Sequence, residues 1–167
     1  MLTRVPDGPL AAGAFVLRPW KPQEASRYLE ARDEEVFKWT TETREATADQ
    51  LALIIEKNLA CPEWVALAIT RRDGQIIGNI ALGGPDADGK SAEASYWLAR
   101  EGRGIGAASA ALNAVTDWAF ANGYECVFLK IAPGNTRSLA VARRCAFEKT
   151  GPHDERLRFE RRVTNVS

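Results

Sequence analysis

Helical spacing of apolar residues dominates the first third of the chain. The clearest case predicts a helix over residues 47–59, where four apolar residues recur three or four positions apart: Leu51, Ile54, Ile55 and Leu59. This segment opens with Thr47-Ala48-Asp49-Gln50, which has the form of a capping box. The pattern before it predicts a strand over 15–18, ended by Pro19, and helices over 22–31 and 33–39.

Short apolar runs of the kind found in strands replace this pattern after residue 63. Two of them, 64–69 and 76–82, flank the hairpin signal Asp73-Gly74. A long apolar stripe then predicts a helix over 104–121, closed by Asn122-Gly123. The remaining predicted elements are strands over 92–98, 126–132, 147–150 and 156–163, and a helix over 136–145.

The order of these elements predicts one α/β (α+β) domain over residues 1–167 with a mixed sheet. The strand over 92–98, the long helix and the strand over 126–132 form a βαβ unit, so those two strands should be parallel.

Composition narrows the class of protein. Of the 167 residues, 46% are hydrophobic, which fits a globular domain with a sizeable core. The 22 basic and 22 acidic residues give no basic excess, which argues against a nucleic-acid partner. No apolar run approaches the roughly 20 residues of a membrane span, and the N-terminus lacks the apolar segment of a signal peptide.

Cysteine and histidine usage argues against a metal. The three cysteines, Cys61, Cys126 and Cys145, have no C-x-x-C spacing, and His153 is the only histidine. We therefore expect a reduced, cytoplasmic protein with no metal site and no disulfide framework.

Two turns carry the candidate chemistry. Gly102-Arg103-Gly104-Ile105-Gly106 follows a predicted strand and opens a helix, an arrangement that exposes backbone N–H groups to a phosphate. Asn135-Thr136-Arg137-Ser138 opens the next helix in the same way. Each segment also has a simpler interpretation. The first can be a tightly packed glycine turn, and the second can be an ordinary helix cap. The dinucleotide fingerprint is excluded because its third glycine position holds Ala107, and a P-loop is excluded because no Gly-Lys-Ser/Thr follows.

Several segments, in order, resemble the GNAT superfamily of acetyl-CoA-dependent N-acetyltransferases, and in particular its RimJ/RimL-type ribosomal-protein branch. They are Phe15-Val16-Leu17-Arg18-Pro19-Trp20, Phe37-Lys38-Trp39-Thr40, Ile76-Ile77-Gly78, Ala92-Glu93-Ala94-Ser95-Tyr96-Trp97-Leu98, the glycine turn, and Asn135-x-x-Ser138-x-x-Val141-Ala142 before Phe147. The resemblance implies a mixed, mostly antiparallel central sheet of six to seven strands flanked by helices, with the βαβ unit holding the cofactor.

The resemblance also implies an activity. The expected reaction is transfer of an acetyl group from acetyl-CoA to a primary amine, either a protein N-terminal amine or a small-molecule amine. Direct attack of the amine on the thioester would occur in a ternary complex. No metal, nucleic acid or membrane is expected to take part, and a homodimer is left open.

The resemblance implies site residues of three kinds. The expected cofactor-binding residues are Trp97, Leu98, Ala99, Gly102, Arg103, Gly104, Ile105, Gly106, Ala107, Asn135 and Ser138. The expected catalytic groups are Glu93 as base through water, the Leu98 N–H at the carbonyl oxygen, and Ser138 as acid. The amine is expected to contact Trp39, Thr40 and Tyr96.

Three positions depart from the family pattern. Glu101 stands where Arg or Gln is usual, and we expect it to point away from the pyrophosphate while Arg100 or Arg103 replaces the missing cation. Ala146 replaces a glycine, and Ala142 replaces the tyrosine that serves as acid in many relatives. Three other interpretations stay open. Glu93 is a solvated strand residue in the first, and the whole chain is a non-catalytic acyl-CoA-binding or regulatory module in the second or a nucleotide-binding α/β protein in the third.

Overall fold

A sheet of eight strands forms the centre of the fold in the computed structural model, which describes residues 5–60 and 64–164. The strands are β1 (Leu10–Ala12), β2 (Phe15–Pro19), β3 (Val65–Arg71), β4 (Ile76–Pro85), β5 (Ser91–Leu98), β6 (Cys126–Ile131), β7 (Glu148–His153) and β8 (Arg156–Arg162). The helices are α1 (Ala25–Glu30), α2 (Glu34–Trp39), α3 (Ala48–Ala60), α4 (Ala107–Ala121) and α5 (Thr136–Arg144). Cys61 lies outside the described residues.

Strand order confirms the predicted fold class. The order is β1-β2-β3-β4-β5-β6-β8-β7, and within the described residues only the β5–β6 pair is parallel. The sheet has one strand more than the six to seven expected, because β1 was not predicted. Three residues are too few to show an alternating pattern, and β1 forms by pairing with β2.

The long helix begins at Ala107 rather than at residue 104 as predicted. Gly104 and Gly106 have φ of 74° and 82°, which is left-handed backbone that a right-handed helix cannot contain. From Ala107 onward the apolar stripe is buried as expected, with Leu112, Val115 and Ala119 fully enclosed. This helix packs against β1, β2 and β5 and so covers one face of the sheet.

Helices α1 to α3 enclose two further apolar clusters. Trp20 and Ile55 pack with Ala68 of β3, and Trp97 of β5 packs with Val36 and Tyr28. Tyr96 and Leu98, the neighbours of Trp97 along β5, instead pack against the cluster that contains α4. Strand β5 is therefore held from both faces, which positions the residues that come after it. No helix among the described residues is long and apolar enough to cross a membrane.

Candidate active site

Strands β5 and β6 separate before either of them ends. Their paired residues are Ser91 with Cys126, Ala92 with Val127 and Glu93 with Phe128. Beyond these three pairs, β5 continues to Leu98 and β6 to Ile131. The other side of β5 stays paired with β4 as far as Leu98. The carboxyl-terminal halves of β5 and β6 therefore border an opening in the sheet.

Two cavities, of about 610 Å³ and 490 Å³, reach this opening. The first lies against the glycine turn and the starts of α4 and α5. The second is bounded by parts of β4, β5 and β6 and by the segment after α2. Six residues line both cavities: Trp39, Thr40, Tyr96, Trp97, Asn135 and Ser138. Two ligands, one in each cavity, would meet at these residues.

The first cavity is bordered by a helix N-terminus that is open to a ligand. Gly106 is the N-cap of α4, and no side chain caps it. The first N–H groups of any helix lack partners within the helix, and they attract anions. Gly104, Gly106, Ala108 and Ser109 line the cavity at this point. The turn can therefore bind a pyrophosphate through its backbone.

Four of the predicted cofactor-binding residues lie outside the cavity walls. Ala99 and Ala107 are buried, and Ile105 is exposed. Gly102 is buried for a packing reason, because a Cβ there would approach the Ile77 carbonyl oxygen to 2.6 Å. The other predicted cofactor-binding residues line a cavity: Trp97, Leu98, Arg103, Gly104, Gly106, Asn135 and Ser138.

The acidic residue at the unusual position in the turn is turned toward α1. Glu101 Oε1 accepts a hydrogen bond from Arg27 Nη2 at 2.5 Å, which lowers the pKa of the Glu101 carboxyl. Glu101 is absent from the walls of the first cavity. The expectation that its carboxylate faces away from the pyrophosphate region agrees with this geometry.

Arg103 lines the first cavity but is bound at the same time to α2. Its guanidinium donates to both oxygens of Asp33, at 2.6 and 2.8 Å, and to the Leu98 carbonyl at 2.9 Å. The hydrogen bonds from Arg103 lower the pKa of Asp33. Arg103 thus joins the turn to α2 and to the end of β5. Two further cations on α5, Arg137 and Arg144, also line the cavity.

The start of α5 brings three polar side chains together. Asn135 Oδ1 accepts a hydrogen bond from the Ser138 N–H at 3.3 Å, so Asn135 caps the helix. The Tyr96 hydroxyl donates to Ser138 Oγ at 3.1 Å across the opening. Burial raises the pKa of Tyr96. The three residues lie where the two cavities meet.

The Leu98 N–H points into the opening. The next N–H along the chain, that of Ala99, donates to the Ile77 carbonyl of β4 at 2.8 Å. Successive N–H groups of a strand point to opposite sides, so the Leu98 N–H is directed away from β4. This direction suits a donor to the oxygen of a carbonyl held in the opening.

The second cavity contains two carboxylates, each with a partner. Glu93 lies 3.3 Å from Lys130 Nζ on the facing strand. Glu42 accepts hydrogen bonds from the Tyr28 hydroxyl at 2.6 Å and from the buried Arg32 at 2.7 Å. Burial and the Glu42 charge raise the pKa of Tyr28.

Sequence reasoning missed this Arg32–Glu42–Tyr28 network. Glu42 lies in a polar segment between two helices, where no motif or periodicity distinguishes it. Only the packing of α1 beside that segment brings the three side chains together. Among the described residues, no group of three or more His, Cys, Asp or Glu side chains is arranged to hold a metal ion.

Comparison with known proteins gives three kinds of result. The family model for the acetyltransferase (GNAT) domain matches residues 15–148. No curated protein sequence matches at a significant level. Many solved structures share the fold.

Three of these structures illustrate the likeness. Mycobacterium smegmatis RimJ in complex with CoA-disulfide is 23% identical, with a TM-score of 0.76, over 93% of this chain and 86% of that one. The ribosomal-protein-S5-alanine acetyltransferase of Vibrio fischeri is 17% identical, with a TM-score of 0.80, over 96% and 100%. The spermidine N-acetyltransferase of Vibrio cholerae in complex with CoA and spermine is 16% identical, with a TM-score of 0.76, over 88% and 93%.

The matched segment runs from β2 to the start of β7 and includes the opening, the glycine turn and the start of α5. It covers well over half of the chain. The chain is therefore a member of the GNAT acetyltransferase family and an acyltransferase enzyme.

Proposed function

We propose that this enzyme transfers the acetyl group of acetyl-CoA to a primary amine by direct attack in a ternary complex. The observation that carries the proposal is the meeting of two cavities at the opening between β5 and β6. One cavity has the anion-binding helix start and the other has the carboxylates, so donor and acceptor would meet at Tyr96 and Ser138.

Donor binding is assigned to the first cavity. The N–H groups of the turn around Gly104 and Gly106 would bind the pyrophosphate. The pantetheine arm would lie along the unpaired edge of β5 and contact the side chain of Asn135. The Leu98 N–H would donate to the thioester oxygen, where negative charge develops during attack.

Proton handling is assigned to two side chains. Glu93 lines the second cavity and would accept the proton of the attacking amine through water. Ser138 would donate a hydrogen bond from its hydroxyl group to the sulfur that leaves, and the resulting thiolate would then take a proton from water. The remaining acceleration comes from holding the two reactants in line.

The acceptor is a protein N-terminal amine or a small-molecule amine. Charge in the second cavity gives no advantage to a polycation, because Glu42 and Glu93 are balanced by Lys130 and Arg156 in its walls. The V. cholerae relative is described with spermine, so spermine is an informative member of any acceptor panel.

The decisive experiment measures release of the CoA thiol. Acetyl-CoA is incubated with the enzyme and, in turn, with peptides that differ in their N-terminal residue, with spermine and with small monoamines. We expect acetyl-CoA to bind and at least one acceptor to release thiol in proportion to acetylated product. Binding of acetyl-CoA with no release above the acceptor-free rate across the panel would contradict the proposal.

A further inference from the structure

The Tyr96 hydroxyl and the Ser138 hydroxyl form a pair that spans the opening in the sheet. Tyr96 belongs to β5 and Ser138 to the first turn of α5, and their oxygens are 3.1 Å apart. Both side chains line both cavities. Neither the helix cap nor the apolar core requires this hydrogen bond, since the cap uses the Ser138 backbone N–H.

The chemistry of the two hydroxyl groups sets the direction of the bond. A phenol is a stronger acid than an aliphatic alcohol and is therefore the better donor. Serine has a single hydroxyl hydrogen. When Tyr96 donates to Ser138 Oγ, the serine's own hydroxyl hydrogen is not used in this bond and can point at a third group.

We propose that Tyr96 is a positioning residue that directs the hydroxyl hydrogen of Ser138 toward the sulfur of the departing CoA. This inference rests on the proposed function and adds to it Tyr96 of β5, which acts on Ser138 of α5. It assigns Tyr96 a role in departure of the thiol rather than in contact with the amine, which is where the sequence predicted it.

The step balances in atoms and charge. The amine nitrogen forms a bond to the thioester carbon, the C–S bond breaks, and its electron pair goes to the sulfur. Ser138 stabilises that charge by hydrogen bonding, as Tyr96 stabilises the orientation of Ser138. The amine gives up one proton toward Glu93 and water, and the thiolate takes one proton from water.

Tyr96 keeps its own proton throughout. Burial raises the pKa of its phenol above the ordinary value of 10.0, whereas a free thiol has a pKa of about 8.5. Transfer of the phenol proton to the thiolate would therefore be unfavourable. A hydrogen-bond donor that stays protonated is what orientation of Ser138 requires.

The test is a double-mutant cycle on Tyr96→Phe and Ser138→Ala. We expect Tyr96→Phe to lower kcat about tenfold, the effect of losing roughly one hydrogen bond, with KM and acetyl-CoA affinity unchanged. In the Ser138→Ala background the same substitution should have no further effect, because its target is gone. Tyr124→Phe, which removes a buried tyrosine hydroxyl outside both cavities, is the matched control and should keep the wild-type kcat.

Two results would overturn the inference. One is a wild-type kcat in Tyr96→Phe, and the other is a full tenfold loss when Tyr96→Phe is added to Ser138→Ala. The first result includes a loss confined to KM or to the melting temperature, which is what a purely structural role predicts. Failure of the proposed function is recognised separately: wild-type enzyme then releases no thiol with any acceptor, and this inference fails with it.

Discussion

Asn135 shows how one side chain can serve the fold and the proposed site at the same time. Its Oδ1 caps α5, which leaves the amide NH₂ group as a donor toward the cavity that it lines. The sequence predicted both uses without separating them, because Asn is common at helix starts for the cap alone. A pair of substitutions separates them.

We expect Asn135→Ala to lose about 1 kcal/mol of stability with the cap, and also to weaken acetyl-CoA binding severalfold. Asn135→Ser keeps a capping oxygen but has no amide donor, so it should recover most of the stability and keep the weakened binding. Thermal unfolding and titration calorimetry measure the two effects. Wild-type affinity in Asn135→Ser would restrict Asn135 to the role of a cap.

The partners of the Glu101 and Arg103 side chains could not be predicted from the sequence. The sequence indicated that a carboxylate at 101 must turn away, since it would repel a pyrophosphate. Its partner is Arg27, 74 positions earlier in the chain, and the partner of Arg103 is Asp33, 70 positions earlier. Contacts at such separations depend on the packing of α1 and α2 beside the turn, which no local pattern reveals.

At the scale of the element, the glycine turn contains glycines of two kinds. Gly102 avoids a clash with β4, whereas Gly106 supplies left-handed backbone where a Cβ would meet nothing within 4 Å. The sequence treated all three glycines of the turn as cofactor-binding, because spacing alone does not distinguish a close approach from a positive φ.

Alanine substitutions should separate these two kinds. We expect Gly102→Ala to destabilise the fold by about 2 kcal/mol, since the Ile77 backbone must move. Gly106→Ala should cost about 1 kcal/mol and weaken acetyl-CoA binding more strongly than Gly102→Ala does. Unfolding in denaturant and calorimetric titration of both variants test this, and the reverse ranking of affinities would contradict it.

The end of α5 carries a strained residue. Ala146 has φ of 60°, and the N–H groups of Ala146 and Phe147 donate to the carbonyls of Arg143 and Ala142, as in a Schellman motif. The motif prefers glycine at this position because left-handed backbone is unfavourable for residues with a Cβ. Alanine in place of the usual glycine at position 146 therefore lowers the stability of the protein locally.

We expect Ala146→Gly to stabilise the protein by about 1 kcal/mol, which corresponds to a rise in melting temperature of about 2–4 °C for a chain of this size. The residue is exposed and absent from the walls of both cavities, so kcat should not change. A lower melting temperature in Ala146→Gly would contradict the strain argument.

For the whole molecule, the sequence predicted the fold class and most of the elements. Most of the residues that it predicted for the site line the two cavities, and their roles stay predictions. The amphipathic helices and apolar strands are local patterns, and the β5–α4–β6 unit follows from their order. The extra strand β1 and the Arg32–Glu42–Tyr28 network could not be predicted, since each exists only through tertiary pairing.

Low pH should weaken the ion pairs that join the glycine turn to α1 and α2. Arg103 lowers the pKa of Asp33 from 3.8, and Arg27 lowers that of Glu101 from 4.5. A lowered carboxyl pKa contributes stability that is complete above the unfolded-state value and is lost as the pH falls through the folded-state value. We therefore expect the free energy of unfolding to fall below about pH 4.

The matched variant for the acid experiment is Glu101→Gln. Because it has no carboxylate at 101, it should be less stable than wild type at about pH 6 and should lose less stability on acidification to about pH 3. Denaturant unfolding at both pH values checks this. Equal losses in the two proteins would show that the Arg27–Glu101 pair does not contribute.

The three residue pairs between β5 and β6 have a mechanical consequence. Among the described residues, these pairs join two parts of the sheet, β1 to β5 and β6 to β8. A substrate that lies along the unpaired edge on one side of the opening and contacts α5 on the other would brace the two parts against each other. Acetyl-CoA would then act as a structural cross-link as well as an acetyl donor, and amide hydrogens at the end of β6 should exchange more slowly when it is bound.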